Sequence, residues 1–307
     1  MSGKFSWTAL AAMALSMALV LSACGQGATP ATPTAPAAAE RIPVLAASEL
    51  ATGPNRLPFG VLQSGTPVND PALSLGLRFF FLDGPEPTQV QGETTATYHG
   101  EGLPFGLYVG YITFDRPGAW GVEISTPQAS GDATVTRLRL DVLEKPAAPP
   151  VGARAIPSRN LTARDVPDLG RLTSDVTPDP DFYQLTVAEA LGAGKPFIVT
   201  FSTPGYCQTA VCAPNMQVLK RLKTKFQDRI NFIHIEVYPY PFGESFQAQR
   251  YVPQMAEWGL RTEPWTFLVD ANGIIQARYE GGVTFAELEP ALEQLAAGQP
   301  VTLPGLQ

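Results

Sequence analysis

The sequence predicts two domains, an all-β sandwich followed by an α/β domain, and three observations predict it. Residues 41–145 carry short apolar or alternating runs at regular spacing, cut by Gly, Pro and Asp, with no helical periodicity. From residue 181, amphipathic helical stretches alternate with runs of buried-strand type. Between the two, residues 146–180 are rich in proline and poor in apolar periodicity, which reads as an inter-domain linker.

In the first domain strands are expected at 56–62, 75–82, 94–98, 106–114, 118–125 and 133–143. Turn signals at Asp83-Gly84, Arg116-Pro117-Gly118 and Ser130-Gly131-Asp132 separate several of them. The last strand alternates, offering Val135, Leu138, Leu140 and Val142 to a core. The stretch 106–122 resembles immunoglobulin-like domains in which a Gly-x-Trp turn, here Gly118-Ala119-Trp120, leads into a late strand. That resemblance implies an Ig-like β-sandwich. Trp120 and Tyr108 are read as core packing rather than as a ligand platform. His99 is a lone histidine in a turn and is expected at the surface. This domain shows no nucleophile, metal cluster or carboxylate pair.

The second domain begins with a helix expected at 181–191, stopped by Gly192-Ala193-Gly194. The uninterrupted apolar run 196–201 is a buried strand. Thr203-Pro204-Gly205-Tyr206 turns the chain toward Cys207 and Cys212. A helix at 214–227 presents Met216, Leu219, Leu222 and Phe226 on one face, and Pro214 suits its first turn. A strand at 230–237 and a helix at 246–259 around Pro253 follow. The runs 265–269 and 274–279 flank Ala271-Asn272-Gly273 as a hairpin, and an amphipathic helix at 285–297 closes the chain.

Ahead of both domains, Met1–Ser6 carries a single positive charge, Lys4, and an apolar stretch runs from Trp7 to Leu21. This is a secretory signal in length and charge, and too short for the roughly 20 residues of a membrane span. Its ending, Leu21-Ser22-Ala23-Cys24, resembles the lipobox of bacterial lipoproteins. The resemblance implies cleavage after residue 23, lipid on Cys24, and a protein held on the extracytoplasmic face of the cell membrane. The expected organisation is signal peptide 1–23, low-complexity linker 24–40, β-sandwich 41–145, Pro-rich linker 146–180 and α/β domain 181–307. The sandwich would stand near the membrane and the second domain distal to it.

Net charge is −7, and no basic run or basic-aromatic stripe appears, which argues against nucleic acid as a partner. The chain has 3 cysteines. With Cys24 assigned to lipid, an even pair remains in a compartment where disulfides persist, and one intramolecular bond is expected.

The element order from 181 is similar to the thioredoxin fold over about 125 residues. The strand 197–201 runs into a turn ending at Cys207, a cysteine pair stands where a helix begins, and Thr262-Glu263-Pro264-Trp265-Thr266-Phe267 matches the family's proline segment facing that pair. The resemblance implies thiol–disulfide exchange on exported protein partners. Cys207 would be the attacking thiol and Cys212 the resolving one, with Pro264, Tyr206 and Trp265 shaping the substrate groove. In the family that proline is cis and holds a substrate backbone beside the sulfur. The physical logic is that unfilled N–H groups at a helix start favour a thiolate, and a nearby second thiol releases the mixed disulfide.

Three departures qualify the resemblance. Four residues separate the cysteines in place of two. On an ideal helix five positions put two side chains about 140° apart, so bonding requires 207–211 to be a loop and the helix to begin near Cys212 or Ala213. Tyr206 stands where a tryptophan usually precedes the first cysteine. Thr200 stands where thioredoxins place a buried Asp, and a hydroxyl is no base near neutral pH.

A second reading is a permanent disulfide in a non-enzymatic binding or scaffold lipoprotein. A third is a Cu(I) chaperone, as in thioredoxin-fold proteins with Cys-x3-Cys and a distant His. His234 is the domain's sole histidine, but it sits inside an apolar strand, so packing beside the sheet is its default role and no metal site is assigned. Thr203 to Cys207 is one residue too long for the peroxidase Thr-x-x-Cys motif. No glycine-rich phosphate loop appears, so no organic cofactor is implied.

Overall fold

Among the residues that the computed structural model describes, 39–303, nine strands form the sheet-rich first domain. They are β1 (Arg41–Leu45), β2 (Leu50–Ala51), β3 (Gly53–Gln63), β4 (Thr66–Pro67), β5 (Leu75–Phe81), β6 (Val90–Tyr98), β7 (Tyr108–Phe114), β8 (Gly118–Pro127) and β9 (Ala133–Leu143). The signal peptide, Cys24 and nearly all of the 24–40 linker lie outside the described residues. Among those described, no helix is long and apolar enough to cross a membrane.

The nine strands form one continuous hydrogen-bonded sheet. Its path is β1-β3-β7-β6-β5-β8-β9-β2, with β4 paired to β3. Strand β6 is the shared member: Thr97 and Tyr98 pair with β7, while its earlier residues pair with β5. The sheet turns over there, so that Leu57 and Phe59 of β3 meet Leu77 and Phe79 of β5 and Ile124 of β8 in a single core. Tyr108 and Trp120 are both in that core. The Trp120 ring lies 5.0 Å from Phe114 and 5.3 Å from Phe81, and its indole N–H donates to Arg116 O. Leu138, Leu140 and Val142 point inward, but Val135 is 51% exposed. Side chains alternate with a period of two, so an odd-numbered residue falls on the outer face. His99 is half-buried, with Nε2 3.4 Å from Thr97 Oγ1.

The second domain comprises α1 (Val187–Gly192), β10 (Phe197–Ser202), α2 (Cys212–Phe226), β11 (Asn231–Glu236), α3 (Phe242–Gln247), α4 (Pro253–Glu257), β12 (Trp265–Val269), β13 (Ile275–Glu280) and α5 (Phe285–Ala296). Its sheet order is β11-β10-β12-β13. Strand β11 is parallel to β10, and β12 and β13 form the antiparallel hairpin. Leu219 and Leu222 of α2 and Leu288 and Leu292 of α5 share one core with Ile198 and Leu268. The opposite face buries Val199, Phe201 and Phe267 against Trp258.

Two helical stretches are divided. Residues 181–191 become a 3-10 turn, Pro180–Tyr183, and then α1. Thr186 takes an extended conformation and forms a capping box with Glu189, which starts a new helix at that point. Residues 246–259 are cut at Pro253, which has no N–H to continue a helix and opens α4 instead.

Residues 146–180 form a strap on the second domain. Gly152 N–H donates to Ile275 O and Ala155 N–H to Gly273 O, while the Trp258 indole donates to Ser158 Oγ. The two domains also touch directly: Arg278 Nη1 donates to Glu49 Oε1 at 2.9 Å and Ser48 N–H to Glu280 Oε2 at 2.8 Å.

Candidate redox site at the disulfide

Strand β10 delivers the chain to the site. Its six residues are all buried, and the turn at Thr203–Tyr206 is closed by a bond from Tyr206 N–H to Thr203 O. The segment from Cys207 to Val211 is a loop, with Ala210 at φ 60, and α2 begins at Cys212. This loop is what brings the sulfurs together. Cys207 and Cys212 are disulfide-bonded, with their Cα atoms 5.9 Å apart.

The two sulfurs are unequal. Cys212 is fully buried, whereas Cys207 is partly exposed. The main-chain N–H of Cys212, at the start of α2, donates to Cys207 Sγ at 3.2 Å, and Thr209 Oγ1 lies 3.3 Å from the same sulfur. No side chain caps α2, so its leading amides are available to charge on Cys207.

Pro264 follows a cis peptide bond and is buried at the start of β12. Its segment is joined to the cysteine loop: Thr209 Oγ1 donates to Glu263 O at 3.4 Å, and Gly281 N–H donates to Pro264 O at 2.9 Å. Asn215 of α2 completes the frame, donating to Gly281 O and accepting from Val283 N–H.

Tyr206 is half-buried and packs on Phe246 of α3, with ring centroids 5.6 Å apart. Trp265 is 3% exposed and belongs to the core. Its ring stacks near Phe267, its indole N–H donates to Thr262 Oγ1, and Arg278 lies over it at 5.6 Å. The structure thus gathers Cys207, Cys212 and the Pro264 segment, with Tyr206 on the α3 side and Trp265 beneath.

Thr200 is buried and donates to Trp265 O at 3.2 Å, with Thr266 Oγ1 at 3.0 Å. Its hydroxyl is committed to joining β10 and β12. His234 lies in the core of β11, with Nδ1 2.8 Å from Tyr183 OH and Nε2 2.9 Å from Ser202 Oγ. Burial lowers its pKa to about 4.

Three contributors escaped the sequence reading. Glu263, next to Pro264, is buried with Oε1 unpartnered, and burial raises its pKa. Val211, between the cysteines, is buried in an apolar patch with Leu103, Leu107, Val109 and Tyr111 of the first domain. Gly282 lies against the same patch: a Cβ there would come within 3.0 Å of Leu103 Cδ1, while Val211 at 3.5 Å would be in ordinary contact. A carboxylate beside a proline and an apolar residue in a polar loop were the available signals. Beside this patch is a cleft of about 330 Å³, lined by Leu45, Ala47 and Phe105 on one side and Thr209, Thr262 and Glu263 on the other.

Residues 183–296 match the family model described as thioredoxin-like domain. The chain carries a C-terminal thioredoxin-like domain. Among solved structures it is similar to a thioredoxin-family thiol:disulfide interchange protein of Chlorobium tepidum TLS, at 17% identity over 36% of this chain and 86% of that one, with a TM-score of 0.29. The PmoD soluble domain of a Methylocystis species also matches at 17% identity, over 31% of this chain and 75% of that one, with a TM-score of 0.22. The cell-surface chitinase ChiW of a Paenibacillus species matches at 11% identity, over 38% of this chain and 9% of that one, with a TM-score of 0.22. No curated protein matches. The disulfide of the thioredoxin-like domain lies at the start of α2, an arrangement consistent with thiol–disulfide exchange.

Proposed function

We propose that this chain is a membrane-tethered, extracytoplasmic thiol–disulfide exchange protein. Lipid on Cys24 anchors it, an Ig-like sandwich forms its first domain, and the Cys207–Cys212 couple of the thioredoxin-like domain acts on thiols and disulfides of exported proteins. The observation that carries this reading is the asymmetry of the pair. Cys207 is partly open to solvent and accepts the Cys212 N–H, while Cys212 is enclosed.

In the reduced protein the Cys207 thiolate attacks one sulfur of a substrate disulfide. A Cys207–substrate bond forms, the substrate S–S bond breaks, and the substrate's other sulfur leaves as a thiolate that takes a proton from water. Cys212 then loses its proton and attacks Cys207 Sγ. The second substrate sulfur departs, and the Cys207–Cys212 bond is restored. Two electrons and two protons pass to the substrate; run backward, the same steps oxidise a dithiol.

The test is the reduction potential of the pair, together with insulin disulfide reduction. A potential above about −250 mV supports a working couple, and one below roughly −300 mV indicates a structural bond. Cys207→Ala is expected to abolish insulin reduction, and Cys212→Ala to trap the mixed disulfide; unchanged activity in Cys207→Ala would overturn the reading.

The scaffold reading also has an observation in its favour. Val211 ties the cysteine loop to the first domain, so the disulfide equally serves to hold that loop in shape. The potential separates the two readings.

A further inference from the structure

The thioredoxin-like domain does not enclose its redox site alone. Residues 99–107 of the first domain, between β6 and β7, meet the cysteine loop, where Val211 is buried among Leu103, Leu107, Val109 and Tyr111. The chain leaving β1 approaches the Pro264 segment. Ala46 N–H donates to Pro58 O at 2.8 Å, Ser48 Oγ lies 3.3 Å from Thr262 Oγ1, and Ser48 N–H donates to Glu280 Oε2. Arg56 donates to Glu280 O and Gly282 O, which pins the turn after β13 to β3.

Between these contacts remains the cleft of about 330 Å³. Leu45, Phe105 and Leu107 of the first domain line it together with Thr209, Val211 and Thr262 of the second. Its lip is accessible: Ala46, Ser48 and Thr209 are exposed, and Leu45 and Phe105 are half-buried. Thr209 links the cleft to the chemistry, because its Oγ1 lies 3.3 Å from Cys207 Sγ and 3.4 Å from Glu263 O. Among the described residues the lining carries two carboxylates, Glu263 and Glu280, and no Lys, Arg or His. Glu280 accepts from uncharged donors, Ser48 N–H and Thr262 Oγ1.

On the reading that Cys207 is the exchanging thiol, we propose that the first domain supplies the selecting wall of the redox site. The cleft receives a large apolar side chain of an extended substrate segment, one or two positions from the reacting cysteine, with no Asp or Glu beside it. An extended chain advances about 3.3 Å per residue. A segment joined to Cys207 by a mixed disulfide therefore brings its neighbouring residues level with Thr209 and the cleft. Leu45, Phe105 and Leu107 offer apolar contact there. An acidic side chain would lose water beside two carboxylates, with no cation to meet it.

Other occupants fit less well. At about 330 Å³ the cleft is at the low end of the roughly 300–1,000 Å³ of small-molecule sites. It takes one or two side chains and no folded surface, which weighs against a second copy. Residues 25–38 of this chain contain only Gly, Gln, Ala, Thr and Pro, and so offer no large apolar side chain. Residues 304–307 do contain one, Leu306, but no cysteine that would bring it to Cys207.

The test uses the whole reduced chain and a series of substrates, each a disulfide-linked pair of identical short peptides that differ only beside the cysteine. Peptides with Leu or Phe there are expected to be reduced at least about tenfold faster than the Ala peptide, by second-order rate constant, and the Asp peptide more slowly than Ala. Phe105→Ser opens the wall, and Ala46→Trp fills the cleft from an exposed position. Each should bring the Leu-to-Ala ratio to within about twofold of one. The readout is a ratio within one protein, so altered stability of a variant does not move it, and the two variants change the volume in opposite senses. Reduction without preference, or a ratio that survives both variants, would overturn the proposal and leave the redox reading intact. A ratio seen only after deletion of residues 304–307 would give the cleft to this chain's own tail. One that vanishes as protein concentration rises would give it to a second copy. Either result overturns the proposal. No reduction of any peptide, nor of glutathione disulfide, would remove the redox reading and this one with it.

Discussion

The Arg56 guanidinium grips the Glu287 carboxylate across the domain boundary, with Nε 2.7 Å from Oε1 and Nη2 2.9 Å from Oε2. Both side chains are almost excluded from water. Tyr111 donates to Oε1 at 2.8 Å, and Arg56 also donates to Glu280 O and Gly282 O. One side chain of β3 thus holds the start of α5 and the turn after β13, and the latter faces the cysteine loop. Burial alone would raise the Glu287 pKa, but the adjacent guanidinium outweighs it and holds the carboxyl below its ordinary value.

Removal of either partner leaves the other charged and buried. Arg56→Met or Glu287→Leu alone is expected to cost about 3–5 kcal/mol of unfolding free energy, whereas the double replacement recovers most of the loss. Urea denaturation of the two single variants and the double variant measures this. Single variants that cost under about 1 kcal/mol would show that the clamp contributes little.

Glu236 and His234, two residues apart on β11, give opposing pH dependences. Burial pushes Glu236 up to about 7 and His234 down to about 4. Between pH 4.5 and 6.5 the folded chain holds a proton on Glu236 that the unfolded chain has released, so acidification favours folding. Over the same window the unfolded chain protonates His234 while the folded chain does not, so acidification opposes folding. Each contributes a slope of about 1.4 kcal/mol per pH unit, with opposite signs. Glu236→Gln removes one of them. Relative to the parent, this variant is expected to gain nothing below pH 4.5 and to become more stable as pH rises, reaching roughly 3 kcal/mol above pH 7. Denaturation across pH reads the difference curve; a flat curve would mean that Glu236 is not held protonated.

Local chemistry made much of this fold legible, and long-range packing hid the rest. The hairpin at Ala271-Asn272-Gly273 and the strand entering Cys207 could be read from short patterns. The requirement that α2 begin near Cys212 or Ala213 follows from helix geometry and the position of Pro214, and the helix begins at Cys212. Val135 was misplaced because apolar character was read without strict parity. The capping box of Thr186 and Glu189 was readable and divides the first helical stretch. Seating of Val211 on Leu103 and Leu107, and the clamp from Arg56 to Glu287, join residues more than 100 positions apart. No periodicity announces such contacts. The place of β11 as the outer strand of its sheet emerges only once strand order is known.

Val211 is a probe of how the first domain holds the cysteine loop. Burying a valine side chain is worth about 1.5–3 kcal/mol. Val211→Ala is therefore expected to lower stability by about 1–2 kcal/mol and to increase hydrogen exchange at 207–211, while the β10 amides stay protected. Unchanged exchange in the loop would show that the disulfide, and not the apolar seat, holds it.

The two sulfurs are expected to remain unequal after reduction. Alkylation requires a thiolate and a path for the reagent. Cys207 has both: it is partly exposed, and the Cys212 N–H points at its sulfur. Cys212 is fully buried beneath the loop. In the dithiol form, limiting iodoacetamide should therefore label Cys207 at least about tenfold faster than Cys212, as mass spectrometry of the peptide spanning the two would resolve. Denaturation in urea should abolish the difference, because an unfolded chain presents the two thiols alike. Equal rates in the folded protein, or faster labelling of Cys212, would remove Cys207 as the attacking thiol while leaving the disulfide itself in place. The experiment thus bears on the direction of attack within the pair, and the reduction potential on whether the pair turns over at all.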